Sequence, residues 1–380
     1  MRRLLDDDSR SVSAAAAARF HALLGLSDTE QSAPASASAS ASPTPAVSHA
    51  PQLPQTPSAP ATVKWSLNVK ASVHASLTIM NGLLYAGDNS GRVHAVETAT
   101  GSGLWRFEAG NPVHSVLAVA EGTLGITAGP YFHLLDAHTG EERWKFKVRQ
   151  RVTALPETDG GAVYLANTNS VYALNLATGE KTWTYCPRIA PFHWVAAAGG
   201  RVWTATERAV YGVDAATGKR KWRTPVTAPV SSLSALSDWV LYVGSGNGHL
   251  YAVDALTGLI RWRSHPTGRD VSTSPVVADG LVCVSNDAGL LCGIDAATGA
   301  NRWVSAERIP TQSPPTLAEG TVYVGSSDGH LYALSAETGA ARWRLPTTRP
   351  VRSSPTVSDG VVYIADLGGW LYAVEDHGGM

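Results

Sequence analysis

From Val63 onward the chain repeats itself, and its tryptophans carry the period. Trp65, Trp105, Trp144, Trp183, Trp222, Trp262, Trp303 and Trp343 stand 39 to 41 residues apart. A Thr-Gly pair sets its glycine four residues ahead of seven of them, at Gly101, Gly140, Gly179, Gly218, Gly258, Gly299 and Gly339, and none precedes Trp65. A chain with this period cannot bury one unit on its own, so it must stack like units side by side.

Each unit divides into four short β-type segments. In the seventh, residues 312–317 read as the inner strand, 321–325 as the second, 330–335 as the third and 341–345 as the outermost. Glu319-Gly320 and Asp328-Gly329 are turn dipeptides, and Thr338-Gly339 closes the last hairpin. Val-Tyr-Val and Leu-Tyr-Ala-Leu in the middle strands are apolar on both faces, as sheets stacked between neighbours require. After Trp343 come three further strands, 353–357, 361–365 and 370–375, with no Thr-Gly-x-x-x-Trp strand behind them. The missing fourth strand is residues 63–69, which hold Trp65. The chain is therefore expected to be all-β: an eight-bladed β-propeller of four-stranded blades, closed when the N-terminal strand completes the last blade.

Three regions follow. Residues 1–30 form a short arm with one marginal helix, capped by Ser13, running from Ala14 to Leu24 and stopped by Gly25. Residues 31–62 collapse to Ser, Ala and Pro and read as a disordered linker, of the kind expected if the chain derives from a longer protein with an N-terminal domain. Residues 63–380 are the propeller. Asp6, Asp7 and Asp8 and the broken apolar run after Ala14 do not read as an export signal, and no stretch is long and apolar enough for a membrane span. The chain as written reads as cytoplasmic, with an envelope location expected if an export signal stands upstream. It is expected to be monomeric. A formal charge of -1, with the basic residues spread along the chain, argues against nucleic acid as a partner. Three isolated cysteines, Cys186, Cys283 and Cys292, make neither a disulfide framework nor a zinc motif.

The repeat consensus A-x-D-x-x-T-G-x-x-x-W is clearest from Ala252 through Asp254, Thr257 and Gly258 to Trp262. It resembles the tryptophan-docking repeat of the pyrroloquinoline-quinone-like propeller family. That family includes quinoprotein dehydrogenases, the non-enzymatic propeller of the outer-membrane barrel-assembly machinery, and propellers attached to some bacterial Ser/Thr kinases. The resemblance covers residues 63 to 376 and implies an architectural role: Gly makes the turn, Asp and Thr satisfy turn amides, and the eight indoles dock blade on blade. The family's dehydrogenases carry a vicinal Cys-Cys ring, calcium ligands and a catalytic Asp. Here the cysteines are separate, no calcium ligand can be carried over, and pyrroloquinoline quinone is not expected as a cofactor. Cys283 and Cys292 take places held by Tyr323 and Tyr332 in the next blade and read as small core residues, with a redox pair on one hairpin as the alternative.

No catalytic residue or metal site is expected: the chain has no G-x-S-x-G elbow, no P-loop and no H-E-x-x-H. Gly244-Ser-Gly-Asn-Gly248 falls between the second and third strands of blade five and reads as a turn. Arg and Lys flanking the motif Trp, among them Arg143, Lys221, Arg261 and Arg302, lie on outermost strands, where charge discourages edge pairing.

Function is expected at the channel mouth. The position after the residue opening each inner strand reads His74, His114, Thr153, His193, Ser231, Ser272, Gln312 and Arg352, polar in every blade. Three meanings stand open: a solvated channel, a recognition site for an anionic small molecule or acidic peptide, and a metal held by the three histidines. Blade four departs from the repeat with Phe192 and Trp194, which read either as a protein interface or as core filler. The leading expectation is a non-catalytic module for protein interaction or ligand sensing, akin to the sensory half of a Ser/Thr kinase. The alternatives are an envelope assembly scaffold and, last, a quinoprotein oxidoreductase.

Overall fold

The computed structural model describes residues 61–377 apart from 120, 121, 153, 187–193, 231–234, 267, 269, 272 and 287. The helix expected over Ala14–Leu24 and nearly all of the linker lie outside the described residues; Thr62 already belongs to the first strand. Among the described residues the chain forms 32 strands in eight antiparallel four-stranded sheets, with no helix. No helix among them is long and apolar enough to cross a membrane.

Blade seven shows the unit: Thr316–Ala318 innermost, then Thr321–Gly325, His330–Ser335 and Ala341–Pro346. Its inner strand is shorter than the sequence pattern predicts because Pro314 and Pro315, directly ahead of it, have no amide to give a ladder. The ring closes as the strand count requires. Thr62–Asn68 pairs antiparallel with Trp370–Glu375, from Thr62 opposite Glu375 to Asn68 opposite Trp370. Eight separate apolar clusters form the core, each lying between two neighbouring blades.

The Thr-Gly-x-x-x-Trp motif explains the docking in detail. Each motif tryptophan except Trp343 reaches forward onto the next blade's Thr-Gly turn. Trp65 Nε1 donates to the Thr98 carbonyl at 2.8 Å, Trp144 to Leu176 at 3.0 Å and Trp262 to Ala296 at 3.0 Å. The ring lies flat on the turn glycine: a Cβ on Gly101 would stand 2.7 Å from Trp65, and one on Gly299 2.7 Å from Trp262. These glycines also hold φ near +75°, so position and conformation both demand glycine.

The aspartate of the motif caps the same turn. Asp254 Oδ1 accepts from the amides of Leu256 at 3.1 Å and Thr257 at 2.9 Å, and its Oδ2 takes Arg261 at 2.7 Å. Arg261 is the extra residue of a β-bulge, since Trp262 faces Ala252 while Ile260 faces Val253. The bulge turns the side chain back across the hairpin. Arg143–Asp136, Lys221–Asp214 and Arg302–Asp295 repeat the arrangement, so these outer-strand cations are held by their own blade.

In two places the structure decides between alternatives, and in each the core reading holds. Trp194 is not an exposed interface aromatic: it is 0% exposed and packs with Trp203, Leu241 and Tyr251 between blades four and five. Phe192 lies outside the described residues. Nor do Cys283 and Cys292 form a redox pair. Cys283 faces Gly293 across the hairpin and Cys292 faces Val284, so the thiols sit one register step apart and point to opposite faces of the sheet. Burial pushes the Cys283 thiol far up and Cys292 up to about 12.

Candidate functional site

The mouth is built by a local device. A single bridge pins the opening residue of the inner segment to the residue just after the second strand: Val73 to Asp88, Val152 to Asn167, Val271 to Asn286 and Val351 to Asp366. That second residue caps the turn between strands two and three. Asp88 Oδ1 accepts from Ser90 and Arg92 amides at 2.8 and 3.0 Å, and Asp366 Oδ1 from Gly368 and Trp370 at 2.8 and 3.0 Å. Both carboxylates are fully buried, and their second oxygens bind His94 in one case and Thr348 and Tyr372 in the other. Asn167 and Asn286 do the same work with an amide oxygen.

With the opening residue held inward, alternation decides the next one. Val73 and Ala75 are buried and His74 between them is exposed; Val351 and Ser353 are buried and Arg352 is exposed; Thr311 and Ser313 flank an exposed Gln312. His114, between buried Val113 and Ser115, is half-buried. At these four of the eight positions the polar residue stands exposed or half-buried between two buried neighbours. Thr153, His193, Ser231 and Ser272 lie outside the described residues.

Blades eight, one, two and three bring their polar groups into one arc. Burial, then the Arg352 guanidinium, hold His74 below its ordinary value of 6.5. Burial, then Arg151, then His74, do the same to His114. Each histidine thus senses the cation of a neighbouring blade. Deeper in the channel Ser76 Oγ donates to Ser354 Oγ at 3.3 Å, tying blades one and eight. Arg151 Nη2 donates to His114 Nδ1 at 3.1 Å. Since a guanidinium only donates, that bond makes His114 a neutral ring with its N–H on Nε2.

Arg151 stands one position before the opening residue Val152, outside the polar column that the repeat makes visible. Its own column is mostly proline (Pro112, Pro229, Pro310 and Pro350), and Arg151 and Asp270 are its charged departures. That contrast is the signal that finds them.

Among the described residues no three His, Cys, Asp or Glu side chains come together as a metal cluster, and His193, the third histidine of the predicted ring, is not among them. Chemically, the arc offers guanidinium forks and neutral imidazole N–H donors, which suit an anion.

Fold and mouth together define a propeller of Trp-docked repeats with a basic arc at its mouth. The family model described as outer membrane protein assembly factor BamB matches residues 58–129, 89–229, 206–313 and 308–380, and the chain belongs to that PQQ-repeat family. No curated protein sequence matches it significantly. Among solved structures it is similar to BamB from Moraxella catarrhalis, at 19% identity and TM-score 0.72 over 83% of this chain and 100% of that one. The computationally designed Ika8 protein matches at 16% identity and TM-score 0.72 over 81% and 98%. The quinohemoprotein alcohol dehydrogenase from Comamonas testosteroni matches at 15% identity and TM-score 0.68 over 84% and 78%. At these identities the likeness concerns the fold.

Proposed function

We propose that the chain is a non-catalytic recognition module that presents its channel mouth to a protein partner or a small anionic ligand. One observation carries this: the arc from Arg352 through His74 and His114 to Arg151, drawn from successive blades, with Arg151 bonded to His114 at 3.1 Å. The separate cysteines on opposite sheet faces, and the absence of a vicinal pair from the sequence, weigh against quinone chemistry. The test is capture from source lysate by wild type and by a variant with His74, His114, Arg151 and Arg352 all changed to Ala. A partner held by the first and lost by the folded second supports the mouth. Equal capture rejects it. Absorbance with pyrroloquinoline quinone and calcium is expected to equal the sum of the components.

A second reading, an envelope assembly scaffold, is favoured by the family description that matches from residue 58 to 380. Fractionation of source cells separates the two: an envelope location supports the scaffold, and a cytosolic one the sensory module akin to those of kinases.

A further inference from the structure

We infer that the anion held at the mouth is an acidic polypeptide segment lying across blades eight, one, two and three. This rests on the recognition reading above and names the class of ligand that the same site takes.

The formal net charge of -1 hides a segregation between faces. The mouth face carries the connections between blades and the turns between strands two and three. In the sector of blades eight to three, those loops expose Lys70, Arg149, Arg151, Arg349 and Arg352. The carboxylates of the same loops, Asp88 and Asp366, are 0% exposed and consumed by turn amides. On the far side of the mouth the loops expose both signs, Glu207, Asp270, Glu307 and Asp328 together with Arg208 and Arg308. The opposite face of the ring, where strands one and two turn, exposes Asp238, Asp279, Glu319 and Asp359. Among the described residues, a sector whose mouth loops expose cations and no carboxylate therefore gives way around the ring to loops of mixed sign.

The size of the sector selects among anions. One small carboxylate reaches a guanidinium and its neighbour, whereas the cations here are spread over four blades, so several carboxylates on one chain are needed to engage them. Aspartate and glutamate side chains match both donors present, the guanidinium fork and the single imidazole N–H. A long nucleic acid backbone would run from the sector onto loops of mixed sign, where Asp270 and Glu307 interrupt the row of cations it needs.

The test uses fluorescein-labelled hexaglutamate, the full chain and anisotropy at low salt. Binding is expected, weakened at least about tenfold by Arg151→Ala with Arg352→Ala, and unchanged by Arg308→Ala across the mouth. Equal affinity of the double variant and wild type overturns the inference, as does an equal loss with Arg308→Ala. A thymidylate hexamer binding more tightly than the peptide would assign the sector to nucleic acid, and citrate competing at the peptide's own concentration would assign it to a small anion; either result defeats the proposal. If the lysate partner depends on the mouth while hexaglutamate is not held, the ligand class fails and the recognition reading stands. If neither responds to the substitutions, both fail.

Discussion

The indole Nε1 of Trp343 donates to Asp376 Oδ1 at 2.9 Å, and the Tyr323 hydroxyl donates to Oδ2 of the same carboxylate at 2.5 Å. Every other motif tryptophan docks on a backbone carbonyl beside a Thr-Gly turn. Blade eight has no such turn, so a side chain near the C-terminus takes its place.

Asp376→Ala should therefore loosen the last junction. Hydrogen bonds to a charged acceptor each contribute about 1.5–3 kcal/mol, and the partners left behind are partly buried. The urea midpoint is expected to fall by a corresponding amount, with Asp376→Asn intermediate; an unchanged midpoint would detach Asp376 from closure. A fragment starting at Leu77, without Thr62–Asn68, should aggregate or melt early beside residues 61–380.

Gly339 and Gly360 share φ +72°, yet only Gly339 lies under a tryptophan, Trp303. Replacing either by alanine costs the strain of a left-handed residue, about 1–2 kcal/mol. Gly339→Ala must also displace the indole and its 2.7 Å bond to the Ala336 carbonyl. It should lose clearly more thermal stability than Gly360→Ala. Equal losses would show that the turn, and not the docking, requires glycine.

The two mouth histidines give stability and binding opposite pH trends. Their folded pKa values lie below the ordinary 6.5, so between that value and the folded one the unfolded chain holds more protons. Their contribution to stability is present above 6.5 and is lost as pH falls through the folded values. A bound carboxylate favours the charged rings, so hexaglutamate affinity should rise over the same descent. Anisotropy and melting across this window, repeated with His74→Gln and His114→Gln, check both signs; a parallel pH response in the variants assigns it elsewhere.

Of the three thiols only Cys186 is exposed. A disulfide reagent should titrate one thiol in the native chain and all three after unfolding. Fast native labelling of Cys283 or Cys292 would contradict their burial.

The ring was legible because the residues that set the period also make the junctions: Trp65 to Trp343 and the Thr-Gly turns are spaced by what they touch. In the opening-residue column, His74, His114, Gln312 and Arg352 each stand between two buried neighbours, an alternation that the polar pattern in the sequence reflects. Trp194 was not, since blade four departs from the repeat there and sequence cannot distinguish a large aromatic filling a gap from one facing solvent. Cys283 and Cys292 were placed on the right strands, but a period of two reverses the face with each step of register. The basic sector was hidden by summation: a net charge near zero carries no record of which face each residue joins.

The closing strand runs from Thr62, beside Glu375, to Asn68, beside Trp370 at the mouth. Its first residue therefore lies on the rim opposite the basic arc. A segment joined ahead of Thr62 enters the propeller from the face away from the mouth, as a handle meets the back of a dish.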